Sequence, residues 1–294
     1  MTDNTVTELY VSNQNLQVLP NLSLYTNLQK LQCSNNQLTS LNNLPLNLQE
    51  LHCYNNQLTS LDHLPPNLQK LECSDNKFTS LENLPSTLLF VNCSNNQLTS
   101  LNNLPPNLQT LHCPDNQLTS LENLPSTLLL VNCENNQLTS LDNLPPNLQT
   151  LDCANCQLTS LDNLPPNLQK LYCSNNQLTS LDHLPPNLQK LSCPKNNQLT
   201  YLENLPSNLQ NLDCSYNQLT SLDNLPPNLQ SLSCYTCQLT SLDNLPPNLQ
   251  SLICHNNPIY RTCNKLYGFE LSEKTIEKYN EIKRLEKECC PLLK

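Results

Sequence analysis

Along most of the chain leucine and cysteine return at fixed places between polar residues, as in Leu48-Gln49-Glu50-Leu51-His52-Cys53-Tyr54-Asn55-Asn56-Gln57-Leu58-Thr59-Ser60-Leu61. Aligned on the cysteine, Cys33, Cys53, Cys73, Cys93, Cys113, Cys133, Cys153, Cys173 and Cys193 are spaced by 20 residues, followed by Cys214, Cys234 and Cys254. A constant step of about 20–50 residues is the mark of a solenoid, whose units cannot bury an apolar face alone and must stack. The alternation in Leu-x-Cys is the two-residue period of a short strand with one buried face. Each unit offers six inward positions, for example Leu48, Leu51, Cys53, Leu58, Leu61 and Leu64.

The back half of each unit, such as Leu61-Asp62-His63-Leu64-Pro65-Pro66-Asn67, excludes a helix, because proline removes a donor and pushes the preceding residue out of the α region. An extended, polyproline-like back is expected. Residues 6–27 keep the pattern through Leu9, Val11, Leu16, Leu19 and Leu22, with Val11 in the cysteine slot and Gln14 in the asparagine slot. Residues 1–27 therefore read as an N-terminal cap with a variant first repeat, and residues 28–268 as twelve repeats. From Ser272, an N-cap followed by Glu273, a helix is predicted with Ile276, Tyr279, Ile282 and Leu285 on its apolar face; residues 269–294 read as a C-terminal cap.

An asparagine follows each strand at a tight turn: Asn36, Asn56, Asn76, Asn96, Asn116, Asn136, Asn176, Asn197, Asn217 and Asn257, with Cys156 and Cys237 in its place in two repeats. Its amide is suited to satisfy backbone groups that would otherwise be buried unpaired. The one step of 21 lies in Cys193-Pro194-Lys195-Asn196-Asn197-Gln198 and reads as a bulged turn.

The pattern LxxLxCxxNxLTSLxxLPxN resembles the leucine-rich repeat with cysteine at the last strand position. In length it is similar to the 20-residue bacterial class of secreted effectors of the YopM and IpaH kind, and in wording to leucine-rich-repeat proteins of giant DNA viruses of amoebae. The resemblance covers residues 6 to about 260. It implies a leucine-rich-repeat solenoid, a β-rich horseshoe with a parallel β-sheet on its concave face. It also implies a non-catalytic protein-protein interaction scaffold acting in the cytoplasm of a host cell. The ubiquitin-ligase activity of the IpaH kind is not carried over, since only about forty residues follow the array. A substrate-recruiting adaptor for host ubiquitin machinery, working through the C-terminal helix, is the alternative.

Composition narrows the chemistry. The formal charge is −10, with 18 acids against 6 lysines in residues 1–260, which argues against nucleic acid as a partner of the array. The opening Met1–Thr7 has no apolar signal segment, and no run approaches the roughly 18 apolar residues of a membrane helix, so neither export nor a membrane is expected. Twelve of the 17 cysteines fall in the core slot, where free thiols act as small hydrophobes; the reading is of reduced thiols in a column, with metal or thiol storage as a third class. No cofactor, metal or catalytic residue is expected: the only glycine is Gly268, which rules out a Gly-rich phosphate loop. His52, His63, His112, His183 and His255 read as solvated surface residues, and Cys289-Cys290 as part of the cap. A monomer is expected.

What remains is surface. The outward column Lys30, Glu50, Lys70, Phe90, Thr110, Leu130, Thr150, Lys170, Lys190 is the most varied, and in Leu88-Leu89-Phe90 and Leu128-Leu129-Leu130 the usual polar residues become apolar. Tyr54, Phe90, Leu130, Tyr172, Lys170 and Lys190 are the candidate partner-binding residues, because apolar and aromatic side chains on an exposed face make binding hot spots. A second column, Asp62, Glu82, Glu122, Asp142, Asp162, Asp182, Glu203, Asp223 and Asp243, reads as a solvated turn, with a cation or a basic partner as the sharper reading.

Overall fold

The computed structural model describes residues 5–259. Thirteen strands of three residues follow in chain order: β1 (Glu8–Tyr10), β2 (Lys30–Gln32), β3 (Glu50–His52), β4 (Lys70–Glu72), β5 (Phe90–Asn92), β6 (Thr110–His112), β7 (Leu130–Asn132), β8 (Thr150–Asp152), β9 (Lys170–Tyr172), β10 (Lys190–Ser192), β11 (Asn211–Asp213), β12 (Ser231–Ser233) and β13 (Ser251–Ile253). They form a parallel sheet in sequence order, the solenoid expected from the repeat. The described residues fall into two compact units. One holds those up to Leu158 with Asp162–Leu168, the other Thr159–Leu161 with those from Gln169 on.

In the first unit the middle residues of neighbouring strands stand in register, as in Leu31↔Leu51, Leu51↔Leu71, Leu71↔Val91, Val91↔Leu111, Leu111↔Val131 and Val131↔Leu151. In the second, Leu171↔Leu191, Leu191↔Leu212, Leu212↔Leu232 and Leu232↔Leu252 do the same. Each of these residues is buried, and each flanking residue points to the other face. The interior layer of a typical repeat is Leu48, Leu51, Cys53, Leu58 and Leu61, with Leu61 the most exposed of them at 4%. Burying one such leucine stabilises by about 1.5–3 kcal/mol, so the stack is driven by aliphatic area. In the repeat after Cys73 a phenylalanine, Phe78, takes the Leu58 position and is wholly buried.

Leu64, assigned inward from the pattern, is only half-buried, and Pro65 behind it is buried instead. The pyrrolidine ring closes the layer because the chain turns there: Leu68 N–H donates to Pro65 O at 3.2 Å. Among the described residues the backs of the repeats up to Leu249 carry no helix, as the prolines require, and in most of them are made of two turns. Because the chain has one glycine, the bend after the strand and the first back turn use other residues at positive φ, as at Asn55 (53°) and His63 (61°). Asn and Asp tolerate this region because their short side chains bond locally.

The predicted C-terminal helix and Cys289-Cys290 lie outside the described residues. In the variant first repeat Val11 and Leu22 are buried while Leu9, Leu16 and Leu19 are half-buried.

Candidate interaction surfaces

Side-chain ladders lock each repeat to the next and define which groups are left for a partner. Asn56 is buried after β3; its Nδ2 donates to Cys53 O (3.0 Å) of its own repeat and Cys33 O (3.1 Å) of the preceding one, and its Oδ1 accepts from Leu38 N–H (3.0 Å). Asn76, Asn96, Asn116 and Asn136 repeat this arrangement. Asn176 is likewise buried and donates to Cys173 O at 3.1 Å. One assignment is corrected: Asn196, not Asn197, occupies the slot beyond Cys193. Asn196 is fully buried and donates to Cys173 O (3.2 Å) and Cys193 O (2.9 Å), while Asn197 is exposed and is the inserted residue. Reach decides between the two identical side chains, since only the residue three beyond the cysteine is placed against both carbonyls.

The cysteine column is a second ladder. Cys53, Cys73, Cys93, Cys113 and Cys133 are free, buried thiols, and Cys133 Sγ donates to Asp152 O of the next strand at 3.1 Å. Burial pushes the Cys33 and Cys93 thiols up to about 12 and Cys53 well above its usual value. Such thiols stay protonated and are poor nucleophiles. On the back a third ladder runs through Asn47, Asn107 and Asn147, which donate to the preceding repeat at Thr26, Ser86 and Ser126 O; in the Pro-Ser-Thr repeats Thr87 and Thr127 do so instead.

The acidic column is also knitted together. Asp142 accepts from Asn163 Nδ2 (3.0 Å), Asp182 from Asn204 (3.1 Å) and Asp223 from Asn244 (3.2 Å). Amide donors at the next repeat thus help hold carboxylates in line. Among the described residues no three of His, Cys, Asp and Glu converge as a metal set.

The outward face of the sheet behaves differently, because its contacts differ from strand to strand. In the first unit Lys30 pairs with Glu50 (3.6 Å) and Lys70 with Glu72 (2.7 Å). His52 lies between the two acids, 3.5 Å from Glu50 and 3.8 Å from Glu72. Its Nε2 is buried without a hydrogen bond, so His52 is not the solvated residue expected. The Lys70 ammonium rests 5.3 Å over the Phe90 ring, which packs on His112 at 5.5 Å. His112 is therefore half-buried as well, and burial lowers its pKa. Phe90 and Leu130 are half-buried and separated by Thr110, each in register with it; the more exposed apolar groups beside them are Leu89 and Leu129. Tyr54 is half-buried.

In the second unit Lys170 and Lys190 are exposed and opposite each other, and Lys190 lies 5.0 Å over Tyr172. Beyond them stands a group the sequence pattern had not assembled: Lys195 over Tyr216 (5.5 Å), Tyr216 edge-on to Tyr235 (4.9 Å) and Tyr235 stacked on His255 (4.8 Å). The available signal was aromatic substitution one or two places past the cysteine in successive repeats. A groove of about 630 Å³ in this unit is lined by Gln169, Gln189, Gln210, Gln230, Gln250 and neighbouring asparagines, with Pro247 and Leu249, none of them titratable.

The repeat architecture has counterparts. A profile described as Leucine Rich repeats (2 copies) matches residues 46–86, 146–186, 166–207 and 207–247. YopM of Yersinia pestis, a leucine-rich effector protein, is 34% identical, with 85% of this chain aligned to 78% of that one and a TM-score of 0.72. The chain belongs to the leucine-rich repeat family. YopM of Yersinia enterocolitica is 33% identical with a TM-score of 0.59; 80% of this leucine-rich repeat chain is aligned, spanning 61% of that protein, less than two thirds. The functional domain of InlJ from Listeria monocytogenes, which includes a cysteine ladder, is 29% identical over 86% of this chain and 64% of its own, with a TM-score of 0.67. CroV588, a circular leucine-rich repeat protein at 22% identity and a TM-score of 0.63 over 85% of this chain and 43% of its own, shares the fold. No curated protein matches the chain.

Proposed function

We propose that this leucine-rich repeat chain is a non-catalytic scaffold that binds a protein partner on the outward face of its sheet, inside a host cell. The observation that carries this reading is the contrast between the two sides of each strand. Inward positions repeat as Leu or Val and Cys, whereas the outward pair changes from Lys30 and Gln32 to Glu50 and His52 to Phe90 and Asn92. A rigid frame with freely varied outward residues is a surface on which specificity can be written without cost to the core. The similarity to the YopM effectors supports both the interaction role and the host setting, and the leucine-rich-repeat solenoid is in its usual use a scaffold rather than an enzyme. Tyr54, Phe90, Leu130, Tyr172, Lys170 and Lys190 are the residues assigned to the contact.

Affinity capture from host-cell lysate tests this, with Phe90→Ala, Leu130→Ala as the comparison protein and its melting curve as the folding control. Loss of a captured protein at unchanged stability is the expected result. Capture that is identical in the two proteins would refute the face as assigned. The adaptor alternative predicts instead that removing residues 261–294 releases a partner while the array stays folded.

A further inference from the structure

We infer that the sheet face and its rim in the second unit, from Lys170 and Lys190 to Tyr216, Tyr235 and His255, bind an acidic peptide segment carrying an apolar or aromatic residue. The inference deepens the scaffold reading and rests on it. Lys170 and Lys190 face each other across β9 and β10, at the roughly 4.8 Å separation of adjacent strands, where like charges destabilise a sheet. Among the described residues neither they nor Lys195 has a carboxylate within ion-pairing distance. Lys190 and Lys195 instead lean on the rings of Tyr172 and Tyr216. In the first unit that juxtaposition does not arise, since Glu50 stands in register between Lys30 and Lys70 and each lysine is paired with a glutamate. In a chain of formal charge −10, the facing Lys170 and Lys190, with Lys195 in the turn beyond β10, form a local field of the opposite sign.

The aromatic group supplies the other half of the recognition. Tyr216 is 40% exposed and Ile253, on the last strand, 42% exposed. Tyr235 touches the rings of both Tyr216 and His255, a row of aromatic faces with Lys195 over its first ring. Carboxylates would bridge the facing ammoniums while an apolar side chain covers the rings. A nucleic acid fits less well because Asp213, opposite Ser192 on one side and Ser233 on the other, follows Asn211 of the Lys190 row and precedes Tyr216, which puts a carboxylate between the Lys170–Lys190 row and the ring ladder. A continuous phosphate backbone would have to pass it, whereas a peptide places its acids only where the lysines are. Asp213 is itself anchored by Ser215, which donates through N–H (3.1 Å) and Oγ (2.7 Å).

The test is fluorescence anisotropy with the full chain and a short labelled peptide alternating glutamate and phenylalanine, against its glutamine counterpart. At low salt the glutamate peptide is expected to bind about tenfold more tightly, the scale of two exposed ion pairs, and the two should converge as salt is raised. Lys170→Glu with Lys190→Glu should erase the preference, and Tyr216→Ala with Tyr235→Ala should weaken both peptides; Lys30→Gln with Lys70→Gln should change neither. Equal binding of the two peptides, indifference to the Lys170 and Lys190 reversals, or tighter binding of a single-stranded oligonucleotide would overturn the inference. A captured partner lost in the Phe90→Ala, Leu130→Ala protein but kept in the Lys170→Glu, Lys190→Glu protein would overturn this assignment alone and leave the scaffold reading standing.

Discussion

The thiol of Cys156 points at the carbonyl oxygen of Cys133 from 3.7 Å, the acceptor that the amide of Asn136 reaches at 2.9 Å. In this repeat a weak donor has replaced a strong one. The backbone N–H groups of Asn136 and Leu138 are directed at the Cys156 sulfur, where other repeats offer an amide oxygen. Cys237 stands in the same relation to Asn217 and Leu219. Cys156→Asn is therefore expected to stabilise the protein by about 0.5–1.5 kcal/mol. Asn136→Ala, which strands Leu118 N–H and leaves Cys113 O to the amide of Asn116 alone, should cost about 1–3 kcal/mol. Urea unfolding of the two variants measures both, and a Cys156→Asn protein no more stable than the parent would count against the ladder as drawn.

Thr236 adopts φ of 55°, in a slot that Asn or Asp fills in most repeats. A β-branched residue in the left-handed region is strained by about 1–2 kcal/mol, whereas Asn relieves part of this by local bonding. Thr236→Asn should raise the denaturation midpoint, and Asn55→Thr in a regular repeat should lower it by a comparable amount. Equal midpoints in all three proteins would remove the strain argument.

The thiol column makes the fold sensitive to alkali. Folded-state pKa values are raised by burial, to about 12 for Cys33 and Cys93 against an ordinary 9.0. A raised thiol pKa means the folded state holds its proton where the unfolded chain has lost it. The contribution is complete below pH 9 and is lost as pH climbs from about 9 to 12, with stability falling along the way. Thermal melts between pH 7 and 11 should show a flat region followed by a steep decline. In the native state the ladder thiols should resist iodoacetamide, and fast modification of Cys113 or Cys133 at neutral pH would contradict their burial.

Asp142 and Asn163 give the acidic column an internal explanation, since the amide already donates to the carboxylate. Asp142 is exposed, so Asp142→Ala should cost under about 1 kcal/mol, and added calcium should leave the melting curve in place. A calcium-dependent rise in melting temperature that Asp142→Ala abolishes would instead make this column a cation site.

Periodicity was enough to place Leu51, Cys53, Leu58 and Asn56, because an inward position is a place in a repeat and every unit must present the same apolar and amide groups to its neighbours. It could not separate Asn196 from Asn197, which are chemically identical; the reach to the Cys173 and Cys193 carbonyls chooses between them. Nor could it show that Pro65 rather than Leu64 seals the back, since that depends on where the turn aims each side chain. The outward face was the least accessible from the pattern. Phe90 beneath Lys70 and against His112, or Tyr216 against Tyr235, joins residues about twenty positions apart through rotamers and strand register, which no repeat encodes. The stacking of leucines follows from composition and spacing alone, because burial of apolar area is indifferent to partner identity. The surface chemistry is directional, and only the folded register decides which charge meets which ring.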